Sequence, residues 1–280
     1  MKKSILFFAF ILCAGLLSAQ TNTSNLRQEG NDNNAEVTQR GAINKSLVIQ
    51  NDDDNTVELG QNGNNNVAEV QTTGGNNAVS LAQVGDANSG VSLISEANNV
   101  ALISQDGNSN IVRQEVDNRN STVTAIQEGN TNRIIQTQSG AGQNSLFVQQ
   151  VGNNNLATQD QAGENSNIFV DQIGDNSSAV FTQSGLSNNI AARQEGNDNG
   201  MAVSQNGNNN FAGGENQVLL DQFGNENNLV LTQDGSENAS AIIQTGNRNE
   251  AINAQTGQAN NSIIEQLGRR NTANVTQTDN

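Results

Sequence analysis

At 280 residues the chain has room for one large domain or two ordinary ones, but its composition suits neither. It holds no Pro, His, Trp or Tyr, only 14% of it is charged, and roughly a fifth is Asn. A formal charge of −16 with 12 basic residues argues against nucleic-acid binding. The lack of His and a single Cys leave little for thiolate metal sites or catalysis. Such a chain buries too little apolar surface to offset its ordering entropy, so order must come from regular backbone pairing. The other reading of this composition is a prion-like Asn/Gln-rich segment, disordered until it aggregates.

The first element is "MKKSILFFAFILCAGLLSAQ": two lysines, an apolar run from Ile5 to Leu17, then small Ser18 and Ala19. It reads as a secretory signal peptide over residues 1–19, cut after Ala19, and not as a spanning helix. Cys13 leaves with it, so the exported chain has no thiol. Loss of Lys2 and Lys3 takes the formal charge from −16 to −18.

From Gln28 onward one spacing governs the chain. Steps of eleven residues land on Gln39, Gln50 and Gln61 and continue to Gln138. One extra residue in "SGAGQN" moves the next mark to Gln150, and a single irregular stretch precedes Gln222. Of 23 such marks to Gln277, 20 are Gln, where chance would place only a few. A second column, six residues before each mark, is Asn in 20 places; a third, two residues after, is Gly in 19.

Between the Asn and Gln columns the arm reads N-x-Φ-x-Φ-x-Q, as in "NSLFVQQ" (Leu146, Val148) and "NQVLLDQ" (Val218, Leu220). Alternation over seven residues is a strand with one buried face. The four residues between arms carry the turn glycines, among them Gly30, Gly41, Gly63, Gly129, Gly196 and Gly268, which take positive φ without steric cost. Two units close one rung, so residues 20–280 are expected to form a single all-β domain. Its fold is a two-faced, flattened β-solenoid of parallel, in-register arms, about 22 residues per rung and amyloid-like. It would have about eleven rungs and be roughly 50 Å long. Glycine every eleven residues opposes a helical solenoid, and a three-faced hexapeptide β-helix would want a period near eighteen.

Stacked rungs turn each column into a ladder of identical side chains. Asn and Gln amides carry donors and an acceptor, so copies above and below can satisfy them inside the core. An unpaired buried amide costs on the order of 1–3 kcal/mol, which makes the ladder a register device.

The repeats "QEGNDNNAEVTQ" and "QLGRRNTANVTQ" resemble the curlin repeat of curli fibre subunits, and the resemblance spans essentially the whole chain after the signal. It implies a secreted bacterial subunit of extracellular functional amyloid in the biofilm matrix. It also implies export through a dedicated outer-membrane pore and a nucleator partner. In that family, Gln and Asn inside the terminal repeats promote nucleation and polymerisation. The matching positions are Asn22, Gln28, Asn33 and Gln39 at one end, and Asn260, Gln266, Asn271 and Gln277 at the other. The chain departs from the better-known subunits in lacking their Gly-rich leader and their tyrosine.

Arms at both ends keep all their columns, where solenoids ordinarily carry polar caps, so head-to-tail self-stacking is expected. Glu29, Asp106, Glu128, Glu195 and Asp234 fall in turns or on outward positions. They either solubilise the chain or act as gatekeepers, through repulsion between aligned carboxylates.

Three local irregularities remain. "QNDDDN" (Asp52, Asp53, Asp54) lacks the spacing of a Ca²⁺ loop and reads as an acidic turn. Ile94 and Val116 replace ladder Gln residues and should soften the stack. Residues 206–216 read as an irregular, shortened arm. No cofactor, metal site or small-molecule substrate is expected, nor an enzyme. The alternatives are a non-polymerising solenoid that binds a surface such as ice or glycan, or a minor nucleator of the same fibre.

Overall fold

A computed structural model describes residues 21–213 and 220–279. The signal-peptide reading of 1–19 and Val218 lie outside the described residues. The described chain is all β: 24 strands from Thr23–Glu29 to Thr272–Thr278, and all but Leu220–Phe223 start just after an Asn or Ser of the Asn column or within a residue or two of it. Apart from Phe211–Ala212 and Leu220–Phe223, which share a sheet, successive strands alternate between two sheets, and every pairing is parallel. Partners are 22 residues apart, as in Asn34↔Thr56 and Gln39↔Gln61. The result is a β-solenoid of about eleven rungs.

The first sheet begins with the arm Thr23–Glu29 and ends with Thr272–Thr278. The second begins with Asn34–Arg40 and ends with Asn261–Arg269. Inward residues alternate strictly with outward ones, so Val123, Ala125 and Gln127 are buried while Thr122 and Glu128 are exposed. Period-two alternation sends successive side chains to opposite faces, and the two apolar columns of each sheet meet in one continuous thin core. Among the described aromatic residues, Phe181 alone is fully buried. A rung of two seven-residue arms leaves little width for more.

The extra residue at 139–143 is absorbed as a register shift between Ser139 and Gly142, after which spacing runs at 22 again. Residues 206–216 need a correction. Among the described residues there is no separate shortened arm. Phe211–Ala212 pairs with Asn189–Ile190, and Leu220–Phe223 pairs with Ala192–Glu195, so both pieces lie on one strand, Asn189–Glu195. They are the two halves of a single arm opened by an insertion, and the local rung spacing is 28. Asn210 holds the Asn column: its N–H donates to Asn188 Oδ1 at 2.9 Å. Gly213 stands at φ 125°, a conformation that glycine takes without steric cost.

Candidate assembly surfaces: ladders and open ends

The Gln column of the second sheet is a continuous chain of side-chain amides. Gln39 Nε2 donates to Gln61 Oε1 at 2.7 Å, Gln61 to Gln83 at 2.8 Å and Gln83 to Gln105 at 2.9 Å, and the series runs to Gln266. Each Nε2 spends its other hydrogen on a backbone carbonyl across the core, as Gln105 does on Ser89 O at 3.1 Å. The ladder thus ties rung to rung and sheet to sheet, in a buried setting where an unpaired amide is costly.

In the first sheet the column breaks at Thr72, Ile94 and Val116. A second ladder, which the column pattern does not reveal, begins two residues before Val116 and runs beside the resumed Gln138–Gln161 column. Gln114 Nε2 donates to Gln136 Oε1 at 3.0 Å and Gln136 to Gln159 at 2.9 Å, all three buried. Its signal in the sequence was Gln in an apolar column at spacings of 22 and 23.

The Asn column works differently from the expected amide-to-amide stack. Asn110 Oδ1 accepts the backbone N–H of Asn132 at 3.0 Å, and its Nδ2 donates to Gly129 O at 2.7 Å in the next rung. Direct Asn–Asn amide bonds occur only at places such as Asn66 to Asn44. The column therefore satisfies the turn backbone of its neighbour, a local preference of short amide side chains.

Those turns stack glycine upon glycine. An added Cβ on Gly129 would stand 2.8 Å from the carbonyl carbon of Gly152, and closer still to its oxygen. Two residues after each glycine stands a second left-handed position, filled mostly by non-glycine residues, Ile43 (φ 63°) and Thr131 (φ 57°) among them. On β-branched residues this conformation costs on the order of 1–2 kcal/mol. Periodicity alone does not foretell that second position.

The two edges of the solenoid differ. Turns that lead from the second sheet back to the first all carry glycine in the Gly column, and they carry an outer Asn/Asp ladder that the sequence reading missed. Asn64 N–H donates to Asp86 Oδ1 at 2.7 Å, Asp86 N–H to Asn108 Oδ1 at 2.8 Å, and the series continues to Asn225 N–H and Asn247 Oδ1. On the opposite edge, Asp52, Glu96, Asn118 and Asp279 occupy Gly-column places. The acidic turn lies there: Asp53 Oδ1 accepts Asn31 N–H at 2.7 Å, and Asp52 Oδ2 accepts Gly74 N–H at 2.9 Å. These carboxylates hold neighbouring rungs together.

Of the five acidic positions singled out, Glu29, Asp106, Glu128 and Asp234 are exposed and Glu195 is half-buried. Only Asp106 and Glu128 face each other in adjacent rungs. Glu29 and Glu195 pair with Arg27 and Arg193, each at 2.9 Å. Repulsion between aligned carboxylates within one chain is thus confined to one of the expected places.

A charged column crosses the outer face of the second sheet, where Asp171, Arg193 and Asp221 stand in register. Burial pushes the Asp171 carboxyl up, Arg193 opposes this, and Glu195 adds to it. Burial likewise raises Asp221 against Arg193. A raised carboxyl favours the fold below its ordinary pKa, and that contribution is lost as pH rises through the raised value. Replacing Arg193 with Met should therefore lower stability more at pH 7 than at pH 4. Denaturation midpoints that fall equally at both pH values would contradict this.

The eight terminal ladder residues lie as the repeat places them, and all but Gln266 are half-buried or exposed while their interior counterparts are buried. Their bonding has a direction. Gln28 and Gln39 donate into the stack, to Gln50 and Gln61 at 2.7 Å each, and no donor among the described residues reaches their Oε1 atoms. Gln266 and Gln277 each give one hydrogen to a backbone carbonyl across the core, at 2.9 Å, and hold a second that no acceptor among the described residues takes. One end offers acceptors and the other donors. Among the described residues, no helix is long and apolar enough to cross a membrane.

No curated protein matches the chain. The family model of the curlin associated repeat matches residues 53–85, a segment that spans an acidic turn, three arms and the Gln61–Gln83 step of the ladder. The strand-and-turn unit of that segment recurs along both sheets of the solenoid, and residues 53–85 carry the curlin associated repeat.

Proposed function

We propose that this chain is an exported structural subunit that polymerises into curli-like extracellular fibres, serving adhesion and aggregation in a biofilm matrix. Residues 1–19 would direct export and residues 20–280 would form the single fibre-building domain. A nucleator subunit and an outer-membrane secretion pore of the curli type are the partners this reading requires. The observation that carries it is the pair of open ends, which keep the apolar, Asn and Gln columns and are complementary in donors and acceptors. The repeat and the fold are structural, and the reading includes no substrate and no catalytic role.

The test is a time course of residues 20–280, followed by thioflavin fluorescence and fibre diffraction. A lagged, seedable transition with a meridional spacing of about 4.8 Å is expected. A monomer that stays soluble for days at high micromolar concentration, without thioflavin signal, would sink the proposal. Gatekeeping by the net charge adds a second expectation: the lag shortens several-fold as salt rises from 10 to about 150 mM, because screening relieves repulsion between subunits. An unchanged lag would leave the carboxylates with solubility alone. A surface-binding solenoid finds less support, because the outward Thr182–Ser204–Thr232 column is interrupted by Asp160 on one side and Ala254 on the other.

A further inference from the structure

The number of arms has a consequence for how two copies meet, resting on the self-assembly reading above. With Phe211–Ala212 and Leu220–Phe223 counted as one arm, the described chain has twelve arms in the first sheet and eleven in the second. The total is odd. A second copy added without rotation would seat its arm Thr23–Glu29 on Thr272–Thr278. Its arm Asn34–Arg40 would then stand two rung heights above Asn261–Arg269, leaving a one-arm gap in the second sheet with Asn260 and Gln266 unfilled.

We propose that successive subunits are related by a half turn about the fibre axis, so that each sheet of one subunit continues as the other sheet of the next. The incoming Thr23–Glu29 then sits on Asn261–Arg269, and the incoming Asn34–Arg40 sits on Thr272–Thr278. Both sheets continue without a gap. Asn260, Gln266, Asn271 and Gln277 meet Asn22, Gln28, Asn33 and Gln39 of the second copy, in that order. The free Nε2 hydrogens of Gln266 and Gln277 point at the free Oε1 atoms of Gln28 and Gln39.

The remaining columns agree with this register. Inward, Ser262 meets Ser24, Ile264 meets Leu26, Ala273 meets Ala35 and Val275 meets Val37. Outward, Glu265 meets Arg27. In the turn, Arg270 stands below Asp32, both at left-handed positions (φ 58° and 54°). The same turn column already holds such a pair inside the chain, where Arg248 donates to both carboxylate oxygens of Glu226 at 2.8 and 3.1 Å.

The edges complement each other only when rotated. At the C-terminal end, one edge presents a shallow groove with Arg248, Arg269 and Arg270. At the N-terminal end, the opposite edge presents Asp52 and Asp53, together with Glu29 in its pair with Arg27. A half turn brings the basic edge under the acidic one. Without rotation, the acidic edge would stand over Gln258, Ala259 and Asp279 and meet no cation. Like charges so placed cost affinity, and complementary ones set register.

Residues 20–280 contain no cysteine, so introduced pairs report directly. In-register neighbours on adjacent parallel rungs lie about 4.8 Å apart at Cα, within disulfide reach. Asn25 and Ile263 are outward and exposed, as is Asn274. Fibres of the double variant Asn25→Cys/Ile263→Cys, grown reduced and then oxidised, are expected to give a ladder of covalent multimers. Fibres of Asn25→Cys/Asn274→Cys should stay monomeric on the same gel. The reverse pattern, a ladder from both variants or a ladder from neither would overturn the half turn. Should a variant fail to form fibres, electron microscopy of the unsubstituted fibre decides. A subunit of this many arms is about 55 Å long, so the half turn gives an axial repeat of about 110 Å and its absence about 55 Å. Failure of the unsubstituted chain to form any fibre would count against self-assembly itself, and is read separately.

Discussion

Replacing Gly129 with alanine is expected to break the stack between two rungs and to cost about 3 kcal/mol or more, at the upper end of single substitutions. Two effects add. The residue sits at φ 115°, and the new methyl would overlap the carbonyl of Gly152, a backbone atom that cannot swing aside. Gly60 supplies the comparison: it has ordinary β geometry and open space around its would-be Cβ. Gly60→Ala should be neutral or stabilise by about 0.5 kcal/mol through the unfolded chain. In a solenoid each rung contacts only its neighbours, so the damage in Gly129→Ala should be local. Hydrogen exchange is expected to show lost protection around Gly107, Gly129 and Gly152, with distant rungs unchanged. Equal denaturation midpoints for the two variants would refute the glycine-stacking argument.

The second large effect is expected at Gln105. Leucine there has about the right volume but removes three hydrogen bonds at once. The Gln83 amide, the Ser89 carbonyl and the Gln127 carbonyl would be left without their partner inside the core. Stranding buried polar groups at about 1–3 kcal/mol each, with some relaxation, points to a loss of about 2–4 kcal/mol. Gln277→Leu should behave in the opposite way. It loses Gln255 and Asn261 as partners on an open, half-exposed arm, and should cost the isolated chain under about 1 kcal/mol. Seeded elongation should nevertheless slow several-fold, since that side chain is where the next rung must join. Denaturation midpoints and elongation rates on preformed seeds separate the two. If Gln277→Leu elongates at the unsubstituted rate, the terminal ladder is not the docking surface.

The asymmetry between these two glutamines could be read before any coordinates were known, because column membership depends only on spacing. The same holds for the strand–turn alternation, the parallel register and the inward face of every regular arm. The split arm shows where spacing stops being enough. "NNNFAGGENQVLLDQ" contains two Asn residues, Asn210 and Asn216, each able to open an arm that ends at Gln222. Position 216 fits the usual distance to the next Gln and position 210 the usual distance from the last one. Backbone pairing of Phe211–Ala212 and Leu220–Phe223 with one strand chooses Asn210.

Sequence by itself determined the period, the two sheets and the buried columns, because each rests on contacts between copies of one short motif and every copy is visible in the chain. Tertiary structure alone decided how the polar groups are shared. It turned the Asn amides onto neighbouring turn carbonyls, added a second Gln ladder at Gln114, Gln136 and Gln159, and imposed a left-handed non-glycine residue on each described turn. A hydrogen bond depends on direction as well as on which column a residue belongs to. Direction appears only once the rungs are stacked and each donor has a specific oxygen within about 3 Å.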